Sequence, residues 1–263
     1  MSSIAELTPT FISNRQVDWL QVETYDSPGA LGAASAASII HNLVHLLKER
    51  EKVRMVFAAA PSQANMLARL VQHAGLEWNR VTMFNMDEFI GLPSDAPQRF
   101  GNWLGRNLFD FVPGSEVHLL NPERDAMEEA ERYAALLEEA PIDIVCLGIG
   151  VNGHIAFNDP DVADFNDAKD VKVVELDHIC RQQQLADQAF DSLESVPTHA
   201  LTLTIPRLLR ADHLFCIVPG SHKAEAVRNC LTKDILTSCP ASILRTHKNC
   251  TLYLDKDSDQ YDL

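Results

Sequence analysis

The chain has 263 residues, a hydrophobic content of 46% and a formal net charge of -15 at pH 7. This length suits one large α/β domain, residues 1–263, and is short for two. An acidic surface repels nucleic acid and acidic membranes, so we expect neither as a partner, whereas a small anionic substrate is compatible if a local cation holds it.

Helix and strand patterns alternate along the chain. Ser27 can cap, and Pro28 can begin, a long helix through ALGAASAASIIHNLVHLLKERE. There follow the strand VRMVFAAA, the helix SQANMLARLVQHAG, the strand RVTMFNM, the helix ERDAMEEAERYAALLEEA, the strands IDIVCLGIG, HALTLTI and HLFCIVPG, the helix SHKAEAVRNCLT and the strand TLYLD. This alternation predicts a doubly wound, mainly parallel α/β sheet of Rossmann-like type, which binds ligands beyond the carboxyl ends of its strands.

The compartment and the redox state follow from simpler features. MSSIAELTPT lacks a basic segment followed by an apolar core, and we expect no membrane span later in the chain, so we predict a cytoplasmic protein. Cys146 and Cys216 lie in apolar strand-like runs, which favours buried free thiols. The histidines are scattered and His154 has no second ligand at helical spacing, so we expect no metal site.

Two adjacent carboxylates follow the strand in FNMDEFIGLP. In extended chain the side chains of Asp87 and Glu88 point to opposite sides, so we expect only one of them to enter a cleft. Such a carboxylate can be a turn residue or helix cap, or a general base whose pKa partial burial raises.

Two further strand ends carry polar residues. In LGIGVNGHIAFNDP, glycines leave room for close approach, and Asn152 and Asp159 could orient the imidazole of His154. In VPGSHKAEAV we expect Ser221 to cap a helix and Lys223 to lie in its first turn. The helix dipole disfavours a cation there, so a lysine at this position suggests a bound anion, held by the ammonium and the free N–H groups. FAAAPSQANML could add N–H donors around Ser62 and Gln63. A base, an orientable histidine and an anion site suit proton transfer on a phosphorylated small molecule.

The segments FNMDEFIGLP, LGIGVNGHIAFNDP and PGSHKA, in this order, resemble those of the glucosamine-6-phosphate deaminase (isomerase) family, with similarity from VETYDS to TLYLD. The resemblance implies a ribose-5-phosphate-isomerase-like fold and conversion of glucosamine 6-phosphate to fructose 6-phosphate and ammonia, with no cofactor. It implies that Asp87 moves a proton between C2 and C1, that His154 opens the pyranose ring supported by Asn152 and Asp159, and that Lys223 binds the phosphate.

Three departures from the family pattern bear on the anion site and the histidine. AAPSQ, residues 59–63, replaces a Gly-rich phosphate loop. Asp159 stands in place of a longer glutamate, and Gln188 in place of an arginine. We therefore expect Arg181 in CRQQQ to supply a second cation from a segment that folds over the cleft. The polar residues 161–170 are compatible with a mobile loop or lid.

Alternatives stay open at this point. A 6-phosphogluconolactonase uses a similar histidine segment, although IAFNDP follows the deaminase pattern. An isomerase of galactosamine 6-phosphate is a closer alternative to the deaminase than the lactonase is. A non-catalytic sugar-phosphate sensor is an alternative of a different class, and the retained Asp87 and His154 argue against it. The expected partner is a small amino-sugar phosphate. The sequence leaves the oligomeric state open, and a homo-oligomer is one possibility.

Overall fold

The computed structural model describes residues 9–260, which contain eleven strands and seven α-helices. The segment MSSIAELT, for which the sequence predicts no leader, lies outside the described residues. The strands are β1 (Phe11–Val17), β2 (Leu20–Tyr25), β3 (Val53–Phe57), β4 (Val81–Asn85), β5 (Asp87–Phe89), β6 (Glu116–His118), β7 (Ile144–Leu147), β8 (Val171–Glu175), β9 (His199–Leu203), β10 (His213–Val218) and β11 (Cys250–Asp255). The helices are α1 (Pro28–Glu49), α2 (Ala64–Gln72), α3 (Phe100–Asn107), α4 (Ala126–Glu138), α5 (His178–Ala186), α6 (Ile205–Leu209) and α7 (Ala224–Thr232).

Eight strands form the main sheet in the order β1-β2-β11-β10-β7-β3-β4-β6. All neighbours are parallel except β1 and β2, which pair antiparallel at one edge. From β3 the chain first builds outward through β4 and β6, and then returns to the other side of β3 through β7, β10 and β11. This is the doubly wound, mainly parallel sheet that the sequence predicts, and its strand order reverses between β3 and β7.

Both faces of the main sheet are buried, which explains the continuous apolar runs of its central strands. In β7, Ile144 and Cys146 face the cluster that includes α1 and α2, whereas Val145 and Leu147 face the cluster that includes α4 and α7. Cys216 in β10 is equally buried, and all six cysteines, which lie within the described residues, are free and buried, as expected for Cys146 and Cys216.

The long helix α1 begins as its sequence predicts. Ser27 Oγ accepts a hydrogen bond from the N–H of Ala30 at 3.3 Å, and Pro28 occupies the first turn. Among the described residues this helix is long and apolar enough to cross a membrane, which the sequence reading did not anticipate. Half of its most apolar stretch is buried against α2, β10 and β11, as in a core helix.

A second sheet of three antiparallel strands, β5-β9-β8, lies beside the main sheet. Only Met86 separates the end of β4 from the start of β5, so the chain passes from one sheet to the other at Asp87. Asn85 fixes this crossing, because its Nδ2 donates to the main-chain oxygen of Asp87 at 2.9 Å and its Oδ1 accepts from the N–H of Leu120 at 3.0 Å.

Three details differ from the sequence predictions. Ser221 does not cap a helix: a 3-10 turn over Ser221–Lys223 follows Gly220, whose φ is 95°, and α7 begins only at Ala224. The strand predicted at HALTLTI forms, but it is the central strand of the small sheet. Periodicity also does not identify the short or polar elements, which are β1, β2, β5, β6, β8, α3, α5 and α6.

Candidate active site

A cavity of about 380 Å³ opens where the strand order reverses. It is lined by residues that follow β3, β4, β7 and β10, so the strand ends singled out in the sequence do meet. Carboxyl ends of parallel strands share one edge of a sheet, which is why segments far apart in the chain converge here. The polar lining residues that the sequence predicted are Ser62, Gln63, Asp87, His154 and Lys223.

Asp87 is the carboxylate that enters the cavity. Its side chain is buried, with 6% of the residue exposed, and it begins β5 opposite Thr202 of β9. Burial, and then the neighbouring negative charge of Glu88, raise the pKa of Asp87 well above its ordinary value. A carboxylate of this kind holds a proton more strongly than an exposed one and suits general-base chemistry near neutral pH.

Glu88 points to the other side, as extended backbone requires. Its Oε1 accepts from the N–H groups of Phe89 and Phe100, and its Oε2 from the N–H of Gly101, at 2.9–3.0 Å. The bonds from Phe100 and Gly101 satisfy two free N–H groups at the start of α3, while burial raises the pKa of Glu88 to about 7. Of the two adjacent carboxylates, one therefore lines the cavity and the other stabilises a helix.

His154 lies on a tight turn that only glycine permits. A Cβ on Gly150 would lie 2.1–2.3 Å from three ring atoms of His154, so the imidazole packs directly over this glycine. The main-chain N–H of Gly150 donates to the oxygen of His154, and that of Gly153 to the oxygen of Gly150, both at 2.9 Å. The Gly-rich bend thus serves to seat the ring at the cavity wall.

Asn152 and Asp159 surround His154, as the sequence suggested. Asn152 Oδ1 accepts from the main-chain N–H of His154 at 3.1 Å, and its Nδ2 donates to Asp159 Oδ1 at 2.9 Å. Nδ1 of His154 lies 2.9 Å from Asp159 Oδ1, although the ring orientation falls short of hydrogen-bond geometry. Burial opposes ionisation of Asp159, but its contacts with His154 and Asn152 outweigh burial and lower its pKa.

Asp177, which the sequence reading missed, joins this group. Its Oδ2 accepts from Asn152 Nδ2 at 2.8 Å, and its N–H donates to Asp159 Oδ2 at 3.2 Å. It is also the N-cap of α5, where its side chain accepts from the N–H of Cys180. An aspartate before a helix is a recognisable cap signal, but its second contact across 25 residues is visible only in the fold.

Lys223 ends the 3-10 turn before α7 and is 5% exposed. Among the residues that the structure describes, it is the only lysine or arginine that lines the cavity. Burial lowers the pKa of Lys223 to about 8, an effect that Asp187 partly offsets. Its N–H already donates to the oxygen of Gly220 at 3.0 Å, so the ammonium is its main contribution to an anion site.

Ser62 and Gln63 form a similar 3-10 turn, Pro61–Gln63, before α2. The N–H of Gln63 donates to the oxygen of Ala60 at 2.9 Å, so this expected donor is occupied. The buried side chain of Gln63 donates through Nε2 to Ser62 Oγ at 3.1 Å and to the oxygen of Ile217 at 3.2 Å. These two residues contribute a hydroxyl and an amide to the cavity wall.

The structure does not bring Arg181 into the cavity, which corrects the expectation of a second cation. Its guanidinium donates to the main-chain oxygens of Leu193 at 2.6 Å and Val196 at 3.0 Å, and the residue does not line the cavity. Both bonds direct the guanidinium toward the loop that follows α5. Arg181 therefore ties α5 to the following loop.

The segment after Arg181 does close over the cleft. Residues 161–170, which the sequence analysis found compatible with a mobile loop or lid, do not line the cavity. Its wall is completed by residues in and after the last turns of α5, namely Gln183, Gln184, Asp187, Gln188 and Ala189. Gln188 has a φ of 59°, a left-handed conformation that is unusual for a residue other than glycine. An apolar side of the cavity, which the sequence reading missed, comes from Met86, Pro97, Phe100, Trp103 and Phe157.

Together these groups can perform acid–base chemistry on a small polar ligand. A buried carboxylate lies at one part of the cavity wall, an imidazole backed by carboxylates at another, and an ammonium where the 3-10 turn ends. Such a set can bind an anionic group through Lys223 while protons move to and from His154 and Asp87.

Comparison with known proteins agrees with this chemistry. The profile of the family described as glucosamine-6-phosphate isomerases/6-phosphogluconolactonase matches residues 26–253. The chain is 34% identical over 214 residues to a glucosamine-6-phosphate deaminase of Bacillus cereus (strain B4264). The aligned region covers 81% of this chain and 79% of the relative. A relative of the same name from Bacillus thuringiensis (strain Al Hakam) matches with the same identity and coverage.

Solved structures show the same fold. A monomeric glucosamine-6-phosphate deaminase superposes with a TM-score of 0.83 at 29% identity, covering 90% of this chain and 98% of that one. A 6-phosphogluconolactonase from Thermotoga maritima superposes with a TM-score of 0.73 at 20% identity, covering 89% of this chain and 99% of that one. The second likeness concerns the fold alone.

Proposed function

The chain belongs to the family of glucosamine-6-phosphate isomerases and 6-phosphogluconolactonases, and we propose that it is a glucosamine-6-phosphate deaminase, which converts glucosamine 6-phosphate to fructose 6-phosphate and ammonia. The observation that carries this proposal is the single cavity that Asp87, His154 and Lys223 line together. Each of the three chemical tasks of the reaction, ring opening, proton transfer and phosphate binding, then has a residue suited to it.

Ring opening is the task of His154. The C1–O5 bond breaks as the imidazole delivers a proton to O5, and the C1 hydroxyl gives its proton to water as the open-chain aldehyde forms. The negative charge of Asp159, 2.9 Å from Nδ1, stabilises the protonated imidazole that donates this proton. Asn152 holds both the backbone of the histidine and the carboxylate, so it positions the pair.

Proton transfer between C2 and C1 is the task of Asp87. A C2 proton beside a C1 carbonyl is acidic enough for a carboxylate to remove. The electron pair forms the C1–C2 double bond, the C1=O π pair moves to the oxygen, and that oxygen takes a proton from water to give the enolamine. Return of the proton to C1 leaves an iminium at C2, which water hydrolyses to the ketose and ammonia. Burial raises the pKa of Asp87, which makes its carboxylate a stronger base than an exposed one.

The phosphate is bound by Lys223, with the hydroxyl of Ser62 and the amide of Gln63 in the same cavity wall. We place the enzyme in the cytoplasm, because its cysteines are free and its substrate is a phosphorylated metabolite. Its net charge of -15 disfavours nucleic acid and acidic membranes as partners.

The test is to incubate the purified full-length chain with glucosamine 6-phosphate and to measure ammonia and fructose 6-phosphate in separate coupled assays. We expect equal amounts of the two products. Galactosamine 6-phosphate and 6-phosphogluconolactone serve as parallel substrates. Hydrolysis of the lactone without release of ammonia would identify a lactonase instead, and ligand binding with no turnover of any substrate would identify a sensor.

A further inference from the structure

Three potential metal ligands converge behind the cavity wall. One ligand atom each from His154, Asp159 and Cys180 lie within 4.8 Å of one another. Imidazole nitrogen, carboxylate oxygen and thiolate sulfur are the three ligand types that bind Zn²⁺ in proteins, and a thiolate favours soft cations over Mg²⁺. The ligands come from the Gly-rich turn, from the segment after it and from the first turn of α5.

Within residues 9–260, Nδ1 of His154 makes no well-aligned hydrogen bond at this point. Nδ1 of His154 is buried and has no hydrogen-bond partner among the described residues, although Asp159 Oδ1 is 2.9 Å away. The residue as a whole is 8% exposed, and Asp159 and Cys180 are 1% and 0% exposed. A buried ring nitrogen without a well-oriented partner carries a cost that a metal ion at this point would remove.

The charge around the cluster also attracts a cation. Burial raises the pKa of the Cys180 thiol, and the negative charges of Asp159 and Asp177 raise it further. Lys223 is the cationic group that interacts electrostatically with the same thiol. The carboxylates of Asp159 and Asp177 against one ammonium leave an excess of negative charge in a buried setting, where electrostatic attraction is stronger than in water.

The distances fit a small shift on binding. Tetrahedral Zn²⁺ with bonds of about 2.0–2.3 Å keeps its ligand atoms about 3.3–3.7 Å apart. The Nδ1–Oδ1 distance of 2.9 Å has to lengthen slightly, and the sulfur, within 4.8 Å of both atoms, has to approach. Because His154 also lines the cavity, a cation can enter from there, and water can complete its coordination.

We propose that His154, Asp159 and Cys180 form an inhibitory site for a thiophilic divalent cation such as Zn²⁺ or Cd²⁺. On binding, the thiol releases its proton to solvent, and the resulting thiolate, the imidazole nitrogen and the carboxylate bind the cation. With the metal bound, His154 and Asp159 are metal ligands and cannot take part in ring opening. The inhibitory effect rests on the proposed function, whereas the binding itself does not.

The binding test uses the full-length protein titrated with Cd²⁺, monitored by the ultraviolet absorbance of the cadmium–thiolate bond. We expect one equivalent of this absorbance in the wild type, its loss in Cys180→Ser and its retention in Cys239→Ser. Cys239 is the matched control, since it is also buried and its Sγ lies close to Gly153 in the same turn. Absence of the absorbance in the wild type, or its retention in Cys180→Ser, would overturn the proposal.

The activity test measures Zn²⁺ inhibition of ammonia release, with Mg²⁺ as the control cation. We expect Cys180→Ser to keep basal turnover and to need at least about tenfold more Zn²⁺ for half inhibition, because a metal ligand is lost. Equal sensitivity of the two proteins would refute the inhibitory site. A protein that binds Cd²⁺ as described but releases no ammonia would disprove the deaminase assignment and leave the metal site standing.

Folding of Cys180→Ser is checked by circular dichroism and thermal unfolding. If that variant does not fold, Asp159→Asn replaces it in the Cd²⁺ titration alone, since it removes a ligand without removing the thiol. We expect at least about tenfold weaker Cd²⁺ binding in Asp159→Asn. Unchanged affinity would overturn the three-ligand site.

Discussion

Replacing Gly150 with alanine should disable the histidine without changing any titratable group. The new Cβ would lie 2.1 Å from Cε1 of His154, against an optimal separation of about 3.5 Å, so the ring has to move by about 1.4 Å. The φ of Gly150 is not in the left-handed region, so alanine adds a collision but no backbone strain. The perturbation therefore falls on the position of the imidazole.

The expected magnitude follows from that displacement. A misplacement of about 1 Å in a catalytic group can cost about 10²-fold in rate, which corresponds to about 2.7 kcal/mol in the activation barrier. We therefore expect Gly150→Ala to lower kcat/KM for glucosamine 6-phosphate by about 10² or more. Binding of an open-chain analogue should change little, because that ligand does not need ring opening.

The assay is ammonia release under steady-state conditions, with thermal unfolding of each variant measured in parallel. Gly29→Ala is the matched control, since a Cβ there meets nothing within 4 Å and Gly29 does not line the cavity. We expect the control to retain wild-type turnover. A folded Gly150→Ala enzyme with near wild-type kcat/KM would refute the argument that this glycine seats the histidine.

Four further predictions concern individual side chains. Asp87→Asn should lower turnover by about 10²–10⁴ with ligand binding retained, and near wild-type exchange of the C2 proton with solvent, measured by NMR, would contradict its role as base. Glu88→Gln is the control for that substitution and should lower thermal stability more than turnover. His154→Gln should impair turnover of the cyclic substrate while an open-chain analogue binds as before; equal loss for both would mark a structural histidine. Because the pKa of Lys223 is about 8, the ammonium is present below that pH and lost above it, so KM for the sugar phosphate should rise as pH increases through 8, and Lys223→Met should raise KM and flatten this dependence. Arg181→Met should lower the melting temperature and leave KM unchanged, since its guanidinium binds main-chain oxygens; a substantial rise in KM would place it at the substrate after all.

Much of the sheet and of the cavity could be read from the sequence. The apolar runs RVTMFNM and IDIVCLGIG predict buried parallel strands, because only a sheet covered on both faces needs continuous hydrophobic strands. Parallel strands present their carboxyl ends at one edge, so the polar residues Asp87, His154 and Lys223 were expected to meet, and they do line one cavity. Alternation of side chains in extended backbone also predicted that Asp87 and Glu88 would separate.

Other features depended on contacts between distant segments. Arg181 was expected at the anion site from its place in the chain, but the direction of a helical side chain depends on how α5 packs, and this packing directs the guanidinium to Leu193 and Val196. The expected cap at Ser221 was replaced by a 3-10 turn, a local choice between two close backbone conformations.

The sequence by itself determined the fold class and the chemical types of side chain at the strand ends, because periodicity and strand polarity are local properties of the chain. Only the tertiary structure decided which groups touch. Cys180 lies 21 residues after Asp159 in the chain, and no spacing rule joins them to His154, yet packing of α5 against the Gly-rich turn brings all three within 4.8 Å. Contacts of this kind arise from the packing of whole elements, whose free energy is summed over many residues that no single motif contains.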